Sequence, residues 1–576
     1  MKRFLFLLCA GLILAGVVSA QDDPAAGSSI AHGVLTLQDQ SDASSYGVYS
    51  QFICGMENCE WMGPLLFPTL FSVDPVFNVI RPAQAGERVL IADPPVMPAA
   101  EQSYTLQPGL TWSDGTPITA YDAVFSMIDR EWSLGPSKRT IDGVRVDSDT
   151  GFTVAYAHAD CTSQVRLNTG IYPVGQLFRG FHNLADDVQA NRADIPTLED
   201  WMGAYQSAYN YGGWHDPSIN QLEVFGGAFV HNEAIEALES VGADLIVRYT
   251  DQFDTQAFIQ GDLNLLLDPP VADRLNLQQL GDVQFYEAPG YAVDRLVFNL
   301  SDPYYPRSST VDGIPGGDPL EQLPNPFLSD VRVRRAIRLA INVPALIEGA
   351  LYGDGIALGG MYSPASWAFD PSLPVWEYDP IEADRLLNEA GWRRGGGDDI
   401  RHCVRCAYPD LRFTLELSLG VDDTNRVRLR VADMIQNQLA RVGVSVSISS
   451  IGSGVSQQDF DLYLVGSSGT SSWERDPDFT EQLTPEYDVL GLPDSNIGSY
   501  TNPTMTDLLE QARTVSTCAP ADRAAVYADV QRLINEDLPF TALYARHDFY
   551  VARGITHFAP LPGEPLWNIA DWVVTR

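Results

Sequence analysis

The sequence predicts an α/β protein in which helices cover the faces of sheets. Two observations predict it: apolar residues recur at helical spacing in several segments of the last 250 or so residues, and short runs with period-two alternation lie beside them. A third observation sets the compartment. Residues 1–20 carry Lys2 and Arg3, an apolar run from Phe4 to Val18 and a small-residue site at Val18-Ser19-Ala20, which is the pattern of a secretory signal.

That leader is too short and too well bounded to span a bilayer, and no later stretch reaches the ~18 apolar residues that spanning needs. Leu14-Ala15-Gly16 is followed by Val17 rather than by the cysteine that lipid attachment requires, and Cys9 has Leu8 before it. Cleavage after Ala20 without a lipid anchor is expected, giving an exported protein that is soluble in the periplasm or outside the cell.

Residues 30–75 mix apolar runs with turns, and residues 86–160 read as strands and turns with one helix. Within them Val144, Val146, Phe152, Val154 and Tyr156 alternate around Asp147-Ser148-Asp149-Thr150-Gly151, a hairpin turn. Its aspartates lack the further ligands of a calcium loop. Residues 175–275 are less regular, and Trp201, Tyr205, Tyr209, Tyr211 and Trp214 there read as core, with a ligand-facing aromatic surface as the rival reading.

The second half is plainer. Val333, Ala336, Ile337, Ala340 and Ile341 have helical spacing, as do Ala383, Leu386, Leu387 and Ala390 before the stop at Gly391. Val427, Val431, Met434, Ile435, Leu439 and Val442 form a third stripe, ended by Gly443, after which Val444, Val446 and Ile448 alternate as a strand. Val526, Tyr527, Val530, Leu533 and Ile534 mark a late helix. Such stripes are core faces and carry no chemistry.

The chain has 576 residues and a formal charge of −39, so phosphate backbones and anionic lipid are poor partners and nucleic-acid binding is not expected. Beyond the leader, six cysteines remain: Cys54, Cys59, Cys161, Cys403, Cys406 and Cys518. In an oxidising compartment an even number suggests disulfides. Cys54–Cys59 and Cys403–Cys406 are the expected local pairs, which leaves Cys161–Cys518. Free thiols, or a metal held by His402 with Cys403 and Cys406, are the rival readings, though no second ligand pair stands at finger spacing.

Signatures of catalysis are missing from the sequence. No two histidines have the His-Glu-x-x-His spacing, there is no Gly-x-Ser-x-Gly elbow, and there is no Gly-x-x-x-x-Gly-Lys-Ser/Thr loop. No cofactor, metal or catalytic residue is assigned. A carboxylate pair in a cleft remains open as the alternative, an exported hydrolase.

Four ordered motifs resemble the family 5 extracellular solute-binding proteins of ABC importers, the oligopeptide, dipeptide and nickel group. The first runs from Leu106-Gln107-Pro108-Gly109 through Trp112-Ser113-Asp114-Gly115-Thr116-Pro117 to Thr119-Ala120-Tyr121-Asp122. By its own chemistry this is a structural corner, with a turn at Ser113-Asp114-Gly115 and a helix capped by Thr119. Asp330-Val331-Arg332-Val333-Arg334-Arg335-Ala336 follows, then Tyr378-Asp379-Pro380 through Leu386-Leu387 to Glu389-Ala390-Gly391-Trp392. Tyr500-Thr501-Asn502-Pro503 with Asp507, Leu508, Leu509, Arg523 and Tyr527 closes the series. The resemblance spans roughly residues 30–560. Asn342 and Asn264 stand where the family usually has Asp, and residues 205–250 depart from its pattern.

The resemblance implies a two-lobed periplasmic-binding-protein fold, hinged, with an extra small domain inserted in the first lobe. The expected division is 21–62, 167–294 and 546–576 for the first lobe, 63–166 for the insert and 295–545 for the second lobe. Ligand, a peptide first of all and an oligosaccharide as the alternative, would be trapped between the lobes of a monomer and passed to permease subunits of the importer. Trp473-Glu474-Arg475-Asp476 has the Trp-x-x-Asp spacing with which peptide binders of this family meet the α-ammonium, so Trp473 and Asp476 are candidate contacts, with Trp367, Tyr46 and Tyr49 as further cleft walls. A bare turn at Asp476-Pro477 is the competing reading.

Overall fold

The computed structural model describes residues 32–38, 67–84, 87–134, 139–178, 180–210, 229–232, 237–240, 244–250, 255–303, 323–395, 397, 399–407, 414–421, 425–451, 458–467, 475–488 and 496–574. Tyr46, Tyr49, Cys54, Cys59, Tyr211, Trp214 and Trp473 lie outside the described residues.

In chain order the first strands are β1 (His32–Gln38), a two-stranded ribbon of β2 (Ser72–Val73) and β3 (Ile80–Arg81), and β4 (Glu101–Thr105), β5 (Ile141–Ser148) and β6 (Gly151–Tyr156). The last three make a separate antiparallel sheet ordered β4-β6-β5. Val144, Val146, Phe152, Val154 and Tyr156 are all buried, so the alternation seen in the sequence is the inner face of this sheet. Trp201, read as core, is 1 % exposed, and its indole N–H donates to Val144 O at 2.8 Å.

The Trp112 corner is structural as expected. Trp112 is buried, its N–H donates to Thr116 O, and Gly115 takes φ +85°, which a side chain would strain. The helix Ala120–Leu134 begins where the sequence places it, but the capping differs. The Thr119 hydroxyl donates to Asp122, whose carboxylate also accepts the Thr119 backbone N–H at 2.7 Å, so the carboxylate in the first turn reaches back to satisfy the donor.

Further on come β7 (Phe229–Asn232), β8 (Ala237–Ser240), β9 (Asp244–Thr250), β10 (Leu265–Leu267), β11 (Val283–Phe298), β12 (Ile356–Ala357), the hairpin of β13 (Trp392–Arg394) and β14 (Arg401–Cys403), then β15 (Glu416–Val421), β16 (Ser445–Ser450), β17 (Leu462–Gly466) and β18 (Phe540–Arg553). One large sheet runs β16-β15-β17-β11-β18-β10-β1-β9-β8-β7, with β12 also on β18. β15 is parallel to both β16 and β17, and β1 to both β9 and β10, as α/β crossovers require.

The helices start on side-chain caps. Asp330 accepts from Arg332 N, Asn425 from Val427 N and Arg428 N, and Asp379 from Ile381 N and Glu382 N, with Pro380 in the first helical turn. Asn342 caps Val343–Leu351 by accepting from Ala345 N, so its amide oxygen does the work of the family's usual Asp.

Buried apolar residues fall into separate bodies. One core joins residues from Phe67 to Trp201 with Leu265 and with Ala552 to Val574, and a satellite of Phe258, Leu266, Phe549 and Val551 lies in the same portions of chain. The other cores draw on residues 296–545. Cys403–Cys406 closes a tight turn within the second body, and Cys161–Cys518 is also formed.

Candidate ligand-binding site

The two bodies are joined by β11 and β18, which pair antiparallel along nearly their whole lengths. At one end β18 also pairs with β10, and at the other β11 pairs with β17 and β18 with β12. Between these ends the register slips, from Pro289↔His547 to Val293↔Ala545. A slip of this kind loosens the ladder and bends the strand. Gly290 sits in it because a Cβ there would come within 2.1 Å of Asp548 Oδ1. The Ser363 hydroxyl from the second body donates to Gly290 O at 2.5 Å.

Several side chains converge beside this irregularity. Arg475 pairs with Glu564 at 2.5 Å and donates to Gly563 O at 3.3 Å, while Gly563 N donates to Asp548 at 2.7 Å. Burial raises the Tyr291 hydroxyl pKa, and the Arg475 guanidinium opposes that rise. The 475 segment thus touches the C-terminal tail of the other body.

Asp476 is 7 % exposed. Its Oδ1 accepts from Asp478 N at 3.0 Å, which is the turn reading, and stands 3.6 Å from Arg523 Nη2, which is an ion pair. Arg523 also donates to Tyr527 Oη at 3.0 Å and lies over the Trp367 ring at 5.2 Å and the Tyr527 ring at 5.6 Å. Trp367, half-buried, meets Tyr527 edge-on at 5.9 Å. The structure therefore brings two of the sequence-predicted residues, Asp476 and Trp367, together around one guanidinium. Burial pushes the Asp476 carboxyl above its ordinary range although Arg523 pulls it down.

Two residues on, Asp478 takes Arg166 of the first body at 2.8 Å, and Glu481 takes the same guanidinium at 3.3 Å. Burial alone would raise the Asp478 carboxyl, but Arg166 and Arg513 bring it below the ordinary value. A short acidic stretch of the second body is thus held against the first by an arginine. Arg274 and Asp354 make a second such bridge, at 2.8 and 3.1 Å.

Sequence reasoning did not single out Arg166, Tyr291, Arg475 or Glu564. Arg523 appeared only as part of the closing motif. No local pattern marks them, because their partners lie far away in the chain: Arg166 and Asp478 are 312 residues apart. Among the described residues no group of three His, Cys, Asp or Glu is placed to hold a metal, and no helix is long and apolar enough to cross a membrane.

Parts of the chain are similar to known proteins. Residues 245–487 match the family described as bacterial extracellular solute-binding proteins, family 5 Middle. The oligopeptide-binding protein AppA of Bacillus subtilis is 27 % identical over 266 residues, which is 44 % of this chain and 45 % of that protein. The glutathione-binding protein GsiB of Escherichia coli K12 is 27 % identical over 225 residues, 37 % of this chain and 38 % of its own length. The chain thus spans less than half the length of the curated relatives it matches. Among solved structures, AppA of Bacillus subtilis with a nonapeptide superposes with a TM-score of 0.61 at 18 % identity, covering 95 % of this chain and 100 % of that one. DppA of Helicobacter pylori with the peptide STSA gives 0.59 at 17 %, covering 95 % and 99 %, and NikZ of Campylobacter jejuni with Ni(L-His) gives 0.60 at 17 %, covering 95 % and 100 %. At such identities the likeness concerns the fold: it is the two-lobed fold of periplasmic binding proteins.

Proposed function

We propose that this chain is a member of the family 5 extracellular solute-binding proteins it resembles, and that it captures a ligand, a peptide in the first instance, between its two lobes and delivers it to an ABC importer without chemical change. The observation that carries this is the crossing itself. Two bodies with separate buried cores are linked by an antiparallel strand pair whose register slips between them, which is the form of a hinge. Lobes that close on ligand must hold it better closed than open.

The proposed division follows the cores: the first lobe ends and the second begins between Pro289 and Asp294, and the chain returns between Ala545 and His547. Residues 63–166 are proposed as the insert, although the core around them continues to Trp201. Asp476 and Trp367 are proposed ligand contacts, together with Trp473, Tyr46 and Tyr49. Arg523 already balances part of the Asp476 charge, so a peptide ammonium would enter a site that is half-neutralised. The protein is proposed to be exported and to act as a monomer on importer permease subunits.

The test is thermal shift of the mature protein against a panel of peptides of two to nine residues and a parallel panel of oligosaccharides. A ligand present at 100 times its Kd stabilises by about 2.7 kcal/mol. Saturable stabilisation by intact peptide is expected. Stabilisation by glycans alone would move the ligand class to sugar, and cleavage of the peptide would replace capture by hydrolysis.

A further inference from the structure

Cys161 follows β6 and precedes the helix Ser163–Leu167, which carry Tyr156 and Leu167 of the first core. Cys518 stands between the helices Pro503–Thr514 and Pro520–Asp537, which carry Ala512 and Val526 of a core of the second body. Their disulfide joins residues 357 apart in the chain, one in the stretch that builds the first body and one in the stretch that builds the second, at a point that is not on the β11–β18 crossing. Polar contacts in the same direction surround it. Cys161 N donates to Arg513 O at 2.9 Å, Arg513 Nε lies 3.9 Å from Asp160 Oδ2, and Arg166 holds Asp478 and Glu481.

We propose that Cys161–Cys518 is a strap between the lobes that limits how far the cleft opens while it is oxidised and releases that limit when it is reduced. The inference rests on the reading of β11 and β18 as a hinge. A disulfide keeps its Cα atoms within about 4.4–6.8 Å of each other, and here they are 5.3 Å apart. A hinge motion separates points in proportion to their distance from the axis. A bond that forbids separation at one such point leaves only rotation about the line through hinge and bond. The oxidised lobes therefore part less than the same lobes with the bond cut.

Release is an ordinary exchange. A dithiol gives two electrons and two protons to the disulfide, forming two cysteine thiols and leaving as its own cyclic disulfide. The strap re-forms when the two thiols pass two electrons and two protons to the disulfide of an exported thiol oxidoreductase. Both cysteines are 9 % exposed, so reductant reaches the bond through openings of the seam. Cys403–Cys406, only 3 residues apart within one lobe, has no such effect on the cleft.

Small-angle scattering of the full mature protein without ligand tests this. The Cys161→Ser/Cys518→Ser double variant should show a larger radius of gyration than wild type, wild type in dithiothreitol should shift to the same value, and Cys403→Ser/Cys406→Ser should match wild type. Equal radii in oxidised and strap-free protein would overturn the proposal. So would a double variant that no longer folds, since a strap that only limits opening leaves each core intact, and so would a non-reducing peptide map of wild type lacking the Cys161–Cys518 bridge. No ligand enters the measurement, so a protein that opens on reduction yet binds no peptide would keep the strap and lose the capture reading.

Discussion

At the scale of single residues, the strongest commitments are charges placed out of water. Asp294 is 3 % exposed and takes Arg428 Nε at 2.6 Å, with Arg546 Nε at 3.9 Å. Cutting the carboxylate away strands the guanidinium, and breaking a buried pair in this way costs roughly 3–5 kcal/mol. Asp294→Ala should lose that much in urea unfolding, and a loss below about 1 kcal/mol would mean the pair behaves as a surface one. Asp476 offers a test by pH. Its carboxyl pKa is raised in the folded protein, so the native state keeps a proton that the unfolded chain releases near pH 4. Its contribution to stability is complete below the unfolded value and is lost as pH rises through the raised one. Asp476→Asn should therefore flatten the fall of Tm with pH immediately above about pH 4, and equal slopes in the two proteins would contradict the assignment. Asp476 was legible in the sequence only as a residue type at a spacing, and Trp367 only as a candidate cleft wall. Arg523, which joins them, was not, because nothing local says which of many arginines folds over a given carboxylate.

At the scale of elements, stripes, caps and turns were readable because they depend on neighbours a few residues away. The apolar stripe from Val427 to Val442 became the helix Arg426–Arg441, and Asn425 caps it with two accepted bonds. Asn425→Ala should cost about 1 kcal/mol. Because the same cap fixes Arg428 in the first turn against Asp294, the loss should be smaller in an Asp294→Ala background, and simple additivity in that double-mutant cycle would sever the two. The long strand β11 was much harder to read. Pro289-Gly290 in its middle has the look of a turn, yet here it is the slip at which one strand passes from one core to the next. Long-range pairing overrides a local turn signal in this place, and the sequence alone could not have said so. The capping of Ala120–Leu134 by Asp122 rather than by the Thr119 hydroxyl is a smaller instance: both residues were in view, and only the geometry assigns donor and acceptor.

At the scale of the whole molecule, two bodies meet at one crossing and along a seam of arginine–carboxylate contacts. The family resemblance in four ordered motifs pointed to the lobes, and the fold has them. The seam was invisible, since Arg166 with Asp478, and Arg274 with Asp354, unite distant parts of the chain. Arg166→Gln removes the cation that holds Asp478 and Glu481. Removing one side of this interlobe contact should favour the open state, so ligand affinity should fall, and unchanged peptide affinity by calorimetry would show the contact to be irrelevant to closure. Capture without conversion is tested most directly by native mass spectrometry of the mature protein incubated with a peptide mixture. Protein ions carrying one intact peptide each are expected. Ions carrying none, with the peptides recovered as fragments, would contradict it.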